Sequence, residues 1–165
     1  MADTNYLHIV SFNIPYPADY GGVIDVYYKI KALAESGIKI LLHTYTYGRK
    51  ESRELEELCE KVYYYRRSSG LRYLLSPLPY IVATRSSQDL TERLLEDEHP
   101  VLFEGLHSCF ALRQCKEAGK KCLVRTHNIE HRYYHMLSRS SRNIFRKIYL
   151  RSEAGKLKKY EVVLK

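Results

Sequence analysis

The chain has 165 residues, 45% of them hydrophobic and 28% charged, with 27 Lys and Arg against 19 Asp and Glu, a formal net charge of +8 and a pI near 9.3. That length suits one domain with a sizeable core, and no apolar run approaches the roughly 20 residues that span a bilayer. Met1-Ala-Asp-Thr-Asn5 has neither a basic nor an apolar leader region, which argues against secretion and for the cytoplasm.

Tyr6-Leu-His-Ile-Val-Ser-Phe12 reads as a buried first strand, short and β-branched. A Pro-rich loop and the pair Gly21-Gly22 follow it. From Val23 to Ser36 the apolar residues Val23, Val26, Tyr27, Ile30, Leu33 and Ala34 have the spacing of one helix face. Gly37 stands where a glycine ends such a helix. Ile38 to Thr44 is the second strand and completes a βαβ unit. Glu51 to Glu60 is predicted as a short helix with Leu55, Leu58 and Cys59 on one side, and Lys61 to Tyr65 as the third strand. Ser68 to Pro79 is a loop or broken helix, punctuated by Pro77 and Pro79. Tyr80 to Glu96 is predicted as one helix with Leu90, Leu94 and Leu95 facing inward. Pro100 to Glu104 is the fourth strand, followed by Gly105 and a helix over His107 to Glu117 that Gly119 stops. Lys121 to Thr126 is the fifth strand. His127-Asn-Ile-Glu-His131 leads into a helix, and Ser140 to Leu164 reads as a long basic helix with Ile144, Ile148, Leu157 and Tyr160 on its apolar side.

This alternation predicts an α/β fold, a Rossmann-like three-layer αβα sandwich with a mostly parallel sheet covered on both faces. Right-handed crossovers give strand order 3-2-1-4-5. The loops after strands one, four and five then share one sheet edge. They hold Tyr16, Asp19, Gly21 and Gly22; Glu104, Gly105 and His107; and His127, Asn128 and Glu130. A crevice at the topological switch point is the expected ligand site, and a helix N-terminus there favours phosphate. Each residue also has a plainer use. The Gly pair suits a tight strand-to-helix turn, His107 a first-turn position, Asp19 a self-stabilised loop, and Glu104 an anchor at the strand end.

His127-Asn-Ile-Glu-His131 fits the H-x-x-E-H zinc pattern. Two observations argue against zinc: the fifth strand runs up to His127, so the two His do not lie four apart on one helix, and no acidic ligand is evident on a following helix. Cys59, Cys109, Cys115 and Cys122 form no CxxC pair and suit reduced structural thiols, with Cys109 and Cys122 expected to be buried. Tyr63-Tyr-Tyr-Arg-Arg67 could stack bases, but Val62 to Tyr65 has the propensity of a plain strand. The net charge calls for an anionic partner. Arg139, Arg142, Arg146, Lys147, Arg151, Lys156, Lys158 and Lys159 make the final helix strongly positive. Without a nucleic-acid signature a solvated face is the plainer reading. The alternative is a basic module on nucleic acid or, with Arg66, Arg67 and Arg72, on an anionic membrane.

The ordered set of Pro15-Tyr-Pro-Ala-Asp-Tyr-Gly-Gly22, Pro79-Tyr-Ile-Val-Ala-Thr-Arg85, Phe103-Glu-Gly-Leu-His107, Arg125-Thr-His-Asn-Ile-Glu130 and Lys159-Tyr-Glu161 resembles the start of bacterial members of glycosyltransferase family 4. The resemblance implies a GT-B fold of two Rossmann-like domains, and transfer of a sugar from a nucleotide-sugar donor to a glycan or lipid-linked acceptor with retention. It implies no metal and no cofactor beyond the donor as substrate, and a role in polysaccharide biosynthesis. Gly21 and Gly22 would approach the donor diphosphate, His127 would contact the transferred sugar as the catalytic-centre histidine, and His107 would stand near the acceptor. Tyr16, Asp19, Asn128 and Glu130 complete the candidate substrate-binding set. Such enzymes are about twice this length, as two domains of ordinary size require. The chain is therefore expected to be the N-terminal, acceptor-side half of such an enzyme, lacking the donor-binding domain with its two Glu separated by seven residues, and inactive alone. A peripheral place at the inner membrane face, without nucleic acid, goes with that reading.

Overall fold

The computed structural model describes residues 5–126 and 128–164. Five strands form one sheet: β1 (Tyr6–Ser11), β2 (Lys39–Thr46), β3 (Lys61–Arg66), β4 (Val101–Glu104) and β5 (Cys122–Arg125). All neighbours are parallel and the order is β3-β2-β1-β4-β5, as the sequence predicts. Helices α1 (Gly21–Glu35) and α2 (Arg53–Leu58) cover one face. The other face carries α3 (Tyr80–Ala83), α4 (Gln88–Leu95), α5 (Leu112–Glu117) and α7 (Ile144–Val163), while α6 (Glu130–Ser140) packs along α7. The result is a Rossmann-like three-layer α/β sandwich.

The strands alternate sides because successive side chains do. Ile9 enters one cluster with Val26, Ile30, Leu42 and Leu55. Val10, its neighbour, enters the other with Tyr45, Leu90, Leu94 and Phe103. On α1 the residues Val23, Val26, Tyr27 and Ile30 are buried, each contributing roughly 1.5–3 kcal/mol before entropy is counted. Gly37 ends α1 with φ of 88°, its N–H on the Ala34 carbonyl at 2.9 Å and that of Ile38 on Leu33 at 3.1 Å. These bonds satisfy carbonyls the helix leaves open.

Several boundaries differ from the sequence reading. Residues 80–96 are not one helix: α3 stops before Thr84, and Ser87 caps α4 by accepting the Leu90 N–H at 3.2 Å. Leu95 is exposed as a result. The segment 107–117 opens as a 3-10 turn, Leu106–Ala111, before α5, and a second 3-10 turn, Leu71–Leu75, lies within 68–79. The last helix begins at Ile144 because Ser141 is extended and Asn143 caps it through the Arg146 N–H at 3.1 Å. Its buried stripe is Leu150, Ala154 and Leu157; Ile144 and Ile148 are exposed, against the predicted apolar side. Cys122 is only half-buried because β5 is an edge strand. Burial pushes the Cys59, Cys109 and Cys115 thiols up to about 12, so they are inert near neutrality. Tyr63, Tyr64 and Tyr65 are strand residues engaged inside the fold, with Tyr63 stacked on His43 and the Tyr64 hydroxyl accepting the Ser52 N–H at 3.1 Å.

Candidate functional site

The register sets Ser11 beside Glu104 and Glu104 beside Arg125, so the loops after β1, β4 and β5 leave one sheet edge together. Gly21 and Gly22 do not form a loop with positive φ; they are the first turn of α1. A Cβ on Gly22 would meet the Phe12 ring at 3.1 Å, and that ring lies 5.4 Å from the His107 ring, centroid to centroid. A side chain here would require the Phe12 ring to give by a few tenths of an ångström. Tyr20 precedes the helix without a side-chain cap, and the first turn carries no acidic residue. The Val23 and Ile24 N–H groups donate to the Tyr20 carbonyl at 3.0 and 2.9 Å, so Gly21 and Gly22 supply the leading N–H groups of α1, where no first-turn carboxylate offsets the positive end.

A charged cluster sits beside this turn. Glu104 is fully buried and pairs with Lys29, which lies 3.5 Å from Asp25. Arg125 grips Asp25 with both terminal nitrogens and is 3.6 Å from Glu104. Two cations thus face two carboxylates, the arrangement that makes a buried charge tolerable. Glu104 is the strand-end anchor that the sequence offered as its plainer use. The Gly105 N–H donates to the Arg125 carbonyl at 2.7 Å and ties the β4 and β5 exits together.

Arg85 was not singled out from sequence, although it ends a segment quoted above. Its Nε donates to the Phe12 carbonyl at 2.8 Å and Nη1 to that of Ile81 at 2.7 Å, while its own carbonyl accepts from the Tyr45 hydroxyl at 2.6 Å. Burial pushes its pKa down to about 10. Arg85 therefore holds the start of the β1–α1 loop from below. Arg49 holds its outer part, pairing with Asp19 and donating to the Pro17 carbonyl at 2.6 Å.

The candidate residues divide among three places. Gly22 and His107 meet through Phe12. Tyr16 and Asp19 line a separate depression of about 730 Å³ with Arg49 and Glu54, and the Tyr16 ring packs on Tyr27 at 5.4 Å. Asn128 is exposed on a cleft of about 410 Å³ between the β5–α6 loop and α7, lined also by Thr126, His131 and Glu161. Glu130 is buried at the start of α6, and burial, with Glu161 nearby, pushes its carboxyl pKa up. Glu161 corrects one expectation: it is an acidic residue on the following helix, and it accepts from the His131 Nδ1 at 2.5 Å and backbone N–H at 3.1 Å. His127 lies outside the described residues. Among the described residues no group of three or more His, Cys, Asp or Glu is placed to hold a metal ion, and no helix is long and apolar enough to cross a membrane.

The chain is similar to a protein of a cps region. Over 149 residues it is 34% identical to an "uncharacterized 44.6 kDa protein in cps region" from Klebsiella pneumoniae. The match covers 86% of this chain and 38% of that relative, so the chain spans well under half of the relative's length. No protein-family model matches the chain, and no solved structure matches it. The cps region is named for that relative, and this chain's own parallel sheet supplies the architecture.

Proposed function

We propose that the chain is the acceptor-side domain of a retaining GT-B glycosyltransferase of family 4, working in polysaccharide biosynthesis. The observation that carries this reading is the contact of Gly22, Phe12 and His107 at the carboxyl edge, in front of an uncapped helix end. A relative in a cps region supports it. In this reading the departing nucleoside diphosphate builds negative charge, and fixed N–H donors at Gly21 and Gly22 lower the barrier because they need no reorientation. His127 and His107 orient sugar and acceptor hydroxyls. The acceptor proton leaves to the departing phosphate, so no protein base is required. Asp25, Lys29, Glu104 and Arg125 are positioning residues that fix α1 against β4 and β5. The donor-binding half belongs to the part of the protein outside these 165 residues, and the acceptor is a glycan or a lipid-linked sugar.

The test is nucleoside diphosphate release by the full-length protein, using UDP-, GDP- and ADP-sugars with native glycan or lipid acceptors. Gly22→Val forces a side chain against Phe12 and displaces the leading N–H groups, so turnover falls by about tenfold or more. His107→Ala raises KM for the acceptor, and His127→Ala lowers turnover. No release with any donor, or release untouched by all three substitutions, would remove the assignment.

A further inference from the structure

Residues 130–165 carry ten Lys and Arg against three Glu. All three Glu are occupied inward. Glu130 and Glu153 are buried, and Glu161 holds His131. Among the described residues the outer face of the α6–α7 pair therefore has no exposed carboxylate. Along α7 the residues Ile144, Ile148, Arg151, Gly155, Lys158 and Val162 recur at intervals of three and four, the spacing of one helix stripe, and every one is exposed. Phe145 beside this stripe is 81% exposed.

A groove of about 510 Å³ runs between this stripe and α6, with Arg132, Arg139, Arg151 and Lys158 on its walls and the exposed Met136 beside them. Arg142, Arg146 and Lys147 surround the apolar first turns. The 3-10 turn Leu71–Leu75 packs beside α7, with Lys156 Nζ on the Leu74 carbonyl at 2.9 Å, and adds the exposed Leu71 and Leu75.

We propose that this face docks on an anionic phospholipid surface, with Phe145 and Ile148 entering the headgroup boundary and the groove cations binding lipid phosphates. Charge decides the occupant. A protein partner would have to supply a carboxylate for each cation while also burying scattered aliphatic tips, since unpaired charges at a buried contact are costly. An anionic leaflet supplies phosphate and hydrocarbon at successive depths, which suits interleaved basic and apolar side chains. The proposal does not depend on the reaction assigned above.

Co-sedimentation with vesicles tests it, comparing phosphatidylcholine alone with three parts phosphatidylcholine to one part phosphatidylglycerol. Binding is expected to the anionic vesicles and to weaken as salt rises. Phe145→Ser with Ile148→Ser, and Arg146→Glu with Lys147→Glu, each lower it by about fivefold or more with unchanged circular dichroism. Four outcomes overturn the proposal. They are no preference for anionic vesicles, full binding by the serine variant, tighter binding to a single-stranded oligonucleotide than to vesicles, and a concentration-dependent dimer by light scattering that the serine variant abolishes. Transferase turnover enters none of these readouts, so failure here leaves the reaction assignment standing.

Discussion

The Asp97 carboxylate can only accept, so the His8 Nε2 that lies 3.0 Å from it must donate. His8 Nδ1 then accepts from His43 Nε2 at 2.8 Å, and His43 Nδ1 accepts from the Tyr65 hydroxyl at 2.9 Å. Every bond is made with both imidazoles neutral, and a proton added to either places a net charge on a ring buried in the interior. Burial, the largest influence on both rings, holds His8 below its ordinary pKa of 6.5 and His43 well below it. Burial would raise Asp97, but hydrogen bonds from Lys120, the His99 backbone and His8 bring it down to about 2. The unfolded histidines take up protons near pH 6.5 while the folded ones do not. Stability is therefore full above about pH 6.5 and declines as pH falls toward the folded values. Urea unfolding between pH 7.5 and 5 should show this loss, and His43→Gln, which can both donate and accept, should flatten it. Tyr65→Phe strands an acceptor and should cost about 1–3 kcal/mol at pH 7.5. Equal pH slopes in all three proteins would dismiss the network as a titrating unit.

At α4 and α7 a side-chain cap, and not apolar periodicity, marks where the helix begins. The Ser87 hydroxyl accepts the Leu90 N–H, and α4 starts there even though the chain reads as helical from Tyr80. Ser87→Ala should lower unfolding free energy by about 1 kcal/mol in urea titration, and Ser87→Asp should restore most of it. The same physics explains what sequence could and could not show. The sheet order was legible because each apolar strand is separated from the next by a crossover of ordinary length, and handedness leaves few arrangements. The breaks before α4 and α7 were not, since the leucines Leu90 and Leu94 continue the pattern of Ile81 and Val82 across Thr84–Ser87. The capping Ser87 and Asn143 were the available signals. The exposed Ile144 and Ile148 misled for another reason: periodicity shows that residues share a face, but not whether anything covers it.

At the scale of the molecule, topology alone brought the β1, β4 and β5 loops to one edge. It could not show that Tyr16 and Asp19 turn toward Arg49, or that Arg85 and Glu161 reach the edge from distant segments, because such contacts leave no local pattern. Glu161 belongs to the α6–α7 pair, whose two helices pack mainly on each other. The pair joins the body through a limited set of ties, among them Lys156 Nζ on the Leu74 carbonyl at 2.9 Å and the packing of Tyr160 and Leu164 on the main cluster. Glu153 accepts the Tyr80 N–H at 2.6 Å, the Tyr160 hydroxyl donates to the Cys109 carbonyl at 2.9 Å, and Leu157 packs with Ile81, Val82 and Leu106. The sheet is tied by four parallel ladders and two apolar clusters. The pair should therefore open below the global unfolding free energy and carry the β5-side cleft with it. Tyr160→Phe removes one tie without changing the packed ring. If the lost bond is worth about 1–2 kcal/mol, the open population rises roughly five- to thirtyfold. Native-state hydrogen exchange should then speed up across α6, α7 and the Tyr80 amide while β1, β2 and β4 keep their protection. Uniform acceleration over both regions would instead mean that the helical pair and the sheet unfold as one unit.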